Sequence, residues 1–141
     1  MSEATIKNHA AFIWSVADLL RGDYKQSEYG KVILPLVVLR RLDCVLEPTK
    51  AKVLAEHAKH GDREAILRAA AGQPFFNTSK LDFRRLLDDP GNVAGNLRGY
   101  IAGFSTGARD VLDKFDFDVQ ITRLDNSKLL YMVCLLYTSP S

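Results

Sequence analysis

Basic side chains form the most informative chemical pattern in this sequence. Arg40 and Arg41 stand side by side inside an otherwise apolar run, with Val37, Val38 and Leu39 before them and Leu42 after. An arginine at the edge of a buried helix lays its stem along apolar neighbours and carries its guanidinium either to water or to an anionic partner. Lys25, Lys31, Lys50, Lys52 and Lys80 extend the basic set, Arg84 and Arg85 form a second cluster, and Tyr24 and Tyr29 bring rings near the first. Such a set suits a phosphate backbone, and Lys25, Lys31, Arg40, Arg41, Arg84 and Arg85 are the candidate nucleic-acid contacts. The competing account is internal neutralisation by Asp43, Asp88 or Asp89. Base-edge readout is not expected, because a helix that packs its apolar side inward keeps little polar surface for a major groove.

Other chemistry finds less support. Asp18, Asp23, Asp43, Asp88 and Asp89 offer carboxylates for acid–base work, but helical proteins scatter carboxylates over every surface. His57 and His60, three apart, share a helix face without a further ligand pattern and read as exposed helix histidines. Cys44 and Cys134 make neither a disulfide framework nor a zinc motif. No GxGxxG, Walker lysine loop, GxSxG or HExxH occurs, so no catalytic, cofactor-binding or metal residue is assigned.

The elements that must carry the basic residues follow from apolar spacing. In 141 residues, 47% hydrophobic and 26% charged, there is room for one domain with one core. Lys plus Arg number 19 against 17 Asp plus Glu, so a net charge of +2 argues neither for nor against a nucleic-acid partner. No run is long and apolar enough for a membrane span and no secretory leader is evident, so a cytoplasmic location without membrane contact is expected.

Apolar residues three and four apart predict a helix from Thr5 to Leu20, closed by Arg21 and a left-handed Gly22. Phe12 and Trp14 are expected in the core with Ile33, Leu36 and Leu39. A second helix runs from Ser27 to Leu46, kinked at Pro35 or starting just before it after a 3₁₀ lead. Pro48 opens a third that ends at Gly61; Asp62 caps a fourth that ends at Gly72. Short helices follow over Leu81 to Leu87, from Asn92 to Phe104, and from Ser105 with Val111, Leu112 and Phe115 inward. Asp116 to Leu124 fits a helix or an extended link. The expected fold is all-α, a compact bundle of about seven to eight short helices.

LLRGDYKQSEYGKVILPLVVLRRLDCVLEPTK at Leu19 to Lys50 resembles the N-terminal helical domain of the modification subunit of type I restriction–modification systems. The resemblance continues through AAGQPFFNTS at Ala70 to Ser79, LLDDPGNVAGNLRGYIAGFS at Leu86 to Ser105, the FDF at Phe115 to Phe117, and RLDNSKLLYMV ending at Val133. Thr106 and Gly107 depart from the family, which usually has a proline after the serine that opens this helix. The resemblance implies that residues 1–133 form the N-terminal domain of an adenine-N6 DNA methyltransferase subunit. It implies S-adenosylmethionine as cofactor of the full-length parent, with none bound by this segment. The catalytic Asn/Asp-Pro-Pro-Phe/Tyr motif matches no position here, so the segment alone is expected to be inactive. Implied partners are DNA, a specificity subunit, a second modification subunit and the restriction subunit, with a role in clamping DNA and contacting subunits. The alternative is a free-standing helical interaction scaffold without catalysis.

Residues 134–141, Cys-Leu-Leu-Tyr-Thr-Ser-Pro-Ser, leave the family pattern. They match an in-frame translation of a transposon-based sequencing adapter and are expected to be foreign to the native protein.

Overall fold

A computed structural model describes residues 3–138. Helix α1 (Glu3–Leu20) leads through a turn and a 3₁₀ segment (Gln26–Glu28) into α2 (Gly30–Leu46). A second 3₁₀ turn (Glu47–Thr49) opens α3 (Lys50–His60), and α4 (Glu64–Ala71) returns against it. After a loop come the single turn α5 (Phe83–Leu86), a 3₁₀ turn (Pro90–Asn92), α6 (Val93–Ala102), α7 (Thr106–Asp113), α8 (Phe117–Asn126) and α9 (Leu130–Thr138). Among the described residues there is no strand, only an isolated antiparallel bridge between Asn77 and Phe104. Eight helices of eight residues or more bear out the all-α bundle. None of the described helices is long and apolar enough to cross a membrane.

Tertiary contact explains why such short helices hold, since isolated helices under about 12–15 residues are marginal in water. α1 packs on α9 and α2 on α8, while α9 also meets α5, α6 and α8. Leu20, Leu36, Leu39, Leu67, Leu86, Leu97, Tyr100, Phe104, Ile121, Leu124 and Leu130 are fully buried in one cluster. Gly72 ends α4 in the left-handed conformation, φ 67°, its N–H donating to the Arg68 carbonyl at 2.9 Å, as the sequence predicts.

Several expectations need correction. Trp14 is 70% exposed. It lies on the side of α1 opposite Val16 and Leu20, which take the buried stripe, whereas Phe12 packs half-buried on the core and Ile33, Leu36 and Leu39 are buried. A broad apolar stripe leaves its edges outside when the neighbouring elements cover only part of the helix. Val111 likewise stands 48% exposed while Leu112 is buried. Gly22 does not take a positive φ; α1 closes instead through the Asp23 and Tyr24 N–H groups, which both donate to the Leu20 carbonyl. Asp62 does not cap α4, whose N-cap is Arg63, but accepts from His57 Nε2 at 3.0 Å. Pro35 neither starts nor ends α2: the 3₁₀ lead is present, yet the helix begins at Gly30, five residues ahead. Asp116, at φ 52°, turns the chain so that the following segment is the helix α8.

The loop after α4 is sewn to the α6–α7 junction by its own backbone. Thr78 N–H donates to the Gly103 carbonyl and Ser105 N–H to the Phe76 carbonyl, each at 2.9 Å. The buried Asn77 donates through Nδ2 to the Tyr100 carbonyl and accepts the Ser79 N–H at 2.6 Å. The QPFFNTS and YIAGFS segments are thus two halves of one joint, which satisfies backbone groups that would otherwise be buried unpaired.

Candidate nucleic-acid interface

The six predicted contacts occupy two regions. Lys25 precedes the first 3₁₀ turn and Lys31 lies in the first turn of α2, both exposed. At about 100° per residue, nine residues place Arg40 about 180° round the helix from Lys31, whereas Arg41 lies about 80° from it. Arg40 is accordingly half-buried and Arg41 exposed, on the outward stripe with Leu34, Val37 and Cys44. The adjacent pair therefore divides: Arg41 shares a side with Lys31, and Arg40 does not.

Arg84 and Arg85, both exposed, sit on the single turn α5. Asp82 caps this turn, accepting the Arg85 N–H at 2.8 Å, and lies 4.0 Å from the Arg85 guanidinium, which also donates to the Lys80 carbonyl. The expected partners of the arginines, Asp43, Asp88 and Asp89, have other roles where contacts are described. Asp43 accepts from Tyr100 OH at 2.9 Å, and Asp89 accepts from the Asn92 and Asn96 amides.

A half-buried polar joint of Asp43, Tyr100 and Lys50 lies near the second region. Burial pushes the Asp43 carboxyl up, partly offset by the Tyr100 hydrogen bond, and burial pushes the Lys50 ammonium down against the attraction of Asp43 and Asp82. Lys50 stands 5.7 Å from the Tyr100 ring centroid and feels the Arg85 charge.

Sequence reasoning missed the residue that shapes the first region. Arg123, on α8, stacks its guanidinium on the Tyr24 ring at 3.8 Å and donates to Glu28 Oε2 at 2.9 Å and to the Asp23 carbonyl. Glu28 Oε1 accepts the Lys25 N–H at 2.9 Å. One arginine thus pins the chain segment that presents Lys25 and Lys31. The signal was confined to the joint presence of the GDYKQSEY and RLDNS segments, and no local charge cluster marks Arg123.

This staple sets a pH dependence. The hydrogen bonds from Arg123 and then Lys25 hold the Glu28 carboxyl down from its ordinary 4.5 to about 2. A depressed folded-state pKa means that Glu28 contributes stability above about pH 4.5, lost as pH falls toward about 2. Urea midpoints of wild type and Glu28→Gln are expected to differ most above pH 4.5 and to converge below it. A gap constant across that range would mean that the charge on Glu28 is immaterial.

No group of three or more His, Cys, Asp or Glu suited to a metal ion occurs among the described residues. Cys134, fully buried, has its thiol pushed up to about 12 by desolvation and is no nucleophile.

The geometry is a helical scaffold presenting basic side chains, and the model of one family, the HsdM N-terminal domain, matches residues 9–134. The chain belongs to that family. It is an N-terminal domain of the type I restriction–modification modification subunit, as the quoted motifs imply. No curated protein and no solved structure matches the chain. The matched span contains all six candidate contacts of this HsdM N-terminal domain, together with the Arg123 staple and the loop joint.

Proposed function

We propose that this HsdM N-terminal domain is the DNA-clamping and subunit-contact module of a site-specific adenine-N6 methyltransferase subunit. The observation that carries the proposal is the presentation of Lys25, Lys31 and Arg41 outward from a pinned segment and α2, with Arg84 and Arg85 as a second outward cluster. In the assembled enzyme these side chains meet DNA phosphates. Sequence readout belongs to the specificity subunit, and a second modification subunit and the restriction subunit complete the set of partners. The cytoplasm is the proposed location.

S-adenosylmethionine is the cofactor proposed for the parent. The residues of this domain do not fit it: among the described residues there is no strand from which a glycine loop could cradle the ribose and carboxylate. Methyl transfer is therefore assigned to other parts of the parent protein.

Arg41→Ala and Arg84→Ala, each made in the assembled methyltransferase, test the contacts. Each is expected to weaken target and non-target DNA about equally and to lower the slope of log affinity against log salt by about one unit. Loss of discrimination with the slope intact would assign base readout to these arginines and overturn the proposal.

Residues 134–141 are proposed to be adapter-encoded, although α9 continues through position 134. Sequencing the source DNA past codon 133 tests this: an uninterrupted genomic reading frame through codon 141 would make them native.

A further inference from the structure

On the other side of α8 from its staple to Tyr24, α6, α7 and α8 enclose a cleft of about 520 Å³. Its size falls within the range of about 300–1,000 Å³ typical of ligand-binding clefts. Ile101, Leu112, Phe117 and Ile121 make the floor apolar. Arg98 on the wall is already engaged, donating to Asp118 at 2.7 Å and to Thr122 Oγ1 at 2.5 Å. Arg109 is the other cation on the rim, and its described contact is with the Thr106 hydroxyl.

Across the mouth stand the carboxylates of Asp110, Asp113 and Asp116, all exposed and with no ion pair or side-chain hydrogen bond among the described residues. With Arg98 and Asp118 neutralising each other, Arg109 leaves three rim carboxylates with a surplus of two negative charges. The backbone adds a second feature. Asp116 holds a positive φ of 52° at the start of α8, a conformation uncommon outside glycine and better tolerated by Asp and Asn than by most residues. An apolar floor beneath a negative rim repels phosphate and favours a partner whose apolar tip is flanked by cations.

We propose that the α6–α7–α8 cleft is a docking site for a protein partner that inserts an apolar side chain flanked by lysine or arginine. The proposal takes from the preceding section only the premise that the domain contacts other subunits. It separates the surface into two functions: the basic residues of α2 and α5 face polyanion, and this acidic cleft faces a basic polypeptide segment. Charge complementarity fixes the sign of the partner and speeds encounter, while the apolar floor holds the inserted side chain.

Two blocked hexapeptides, KRLFRK and its charge-reversed counterpart EDLFDE, titrated into the ¹⁵N-labelled 141-residue chain, provide the probes. The basic peptide is expected to shift, saturably, the amides of Ala102, Asp110, Asp113, Phe117 and Ile121, and the acidic peptide to leave them in place. The triple variant Asp110→Asn, Asp113→Asn, Asp116→Asn keeps a residue tolerant of positive φ at position 116 and is expected to weaken the basic peptide at least tenfold. Ala102→Trp, at an exposed position of α6, fills the mouth and is expected to abolish the shifts, which keeps the test decisive even where the triple variant loses its dispersed spectrum. Absence of shifts with the basic peptide, equal binding of both peptides, or shifts that survive Ala102→Trp would overturn the proposal. DNA titrations report on the basic faces alone, so failure of the clamping proposal would show there and not in the peptide shifts.

Discussion

Phe104→Ala is expected to destabilise the domain by about 3–5 kcal/mol, while Trp14→Ala changes its stability by less than about 0.5 kcal/mol. Phe104 is 2% exposed and meets Tyr100 edge to face, with ring centroids 5.2 Å apart. Loss of the ring removes its burial and the aromatic pairing and leaves a cavity beside the loop joint, where the hydrogen bonds around Asn77 limit collapse. A small domain has a margin of only about 5–15 kcal/mol, so the variant loses a large share of it, and its thermal midpoint should fall by on the order of 10 °C. Trp14 is the larger ring, yet at 70% exposure it has little burial to lose. Thermal and urea unfolding of the two variants side by side test the pair. A midpoint for Trp14→Ala as low as that of Phe104→Ala would place the indole in the core after all.

Gly103→Ala is expected to cost about 1–3 kcal/mol through overpacking, and Gly99→Ala, one turn earlier in the chain, to stabilise by about 0.5–1 kcal/mol. The backbone at Gly103 is ordinary, φ −76°, so the restriction is one of space. A Cβ there would lie 2.6 Å from Asn77 Oδ1 and 2.9 Å from the Ser79 backbone nitrogen. Neither atom is the free end of a flexible chain: Asn77 is buried and bonded at both ends of its amide, and its Oδ1 accepts the Ser79 N–H. The methyl group would push the loop away from the Gly103 carbonyl and loosen the Thr78 and Ser105 bonds together. At Gly99 a Cβ meets nothing within 4 Å, so only the gain in helix propensity remains. Opposite signs for the two glycines in chemical denaturation are the expected result. Equal and small effects would show that the loop joint yields easily.

The helical architecture was legible in the sequence because it is a local property. Apolar spacing of three and four located α1 and α6, proline and glycine marked the bounds of α3 and α4, and the quoted motifs identified the family now matched over residues 9–134. The basic candidates were legible as residue types, and their division was partly so: helical periodicity alone separates Arg40 from Lys31. The fate of Trp14 was not legible, because every face of α1 offers apolar side chains and only the packing of α9 on the helix decides which stripe is covered. Long-range pairs were equally hidden. Arg123 meets Glu28 across 95 positions and the Asp23 carbonyl across 100, and Asp43 meets Tyr100 across 57. The same holds for Gly103, whose missing side chain matters only because the Asn77–Ser79 loop lies against it. Periodicity records which way a side chain leaves its own helix, and burial and pairing depend on which other element lies there, so the sequence determined the helices and the family while tertiary packing determined the surface.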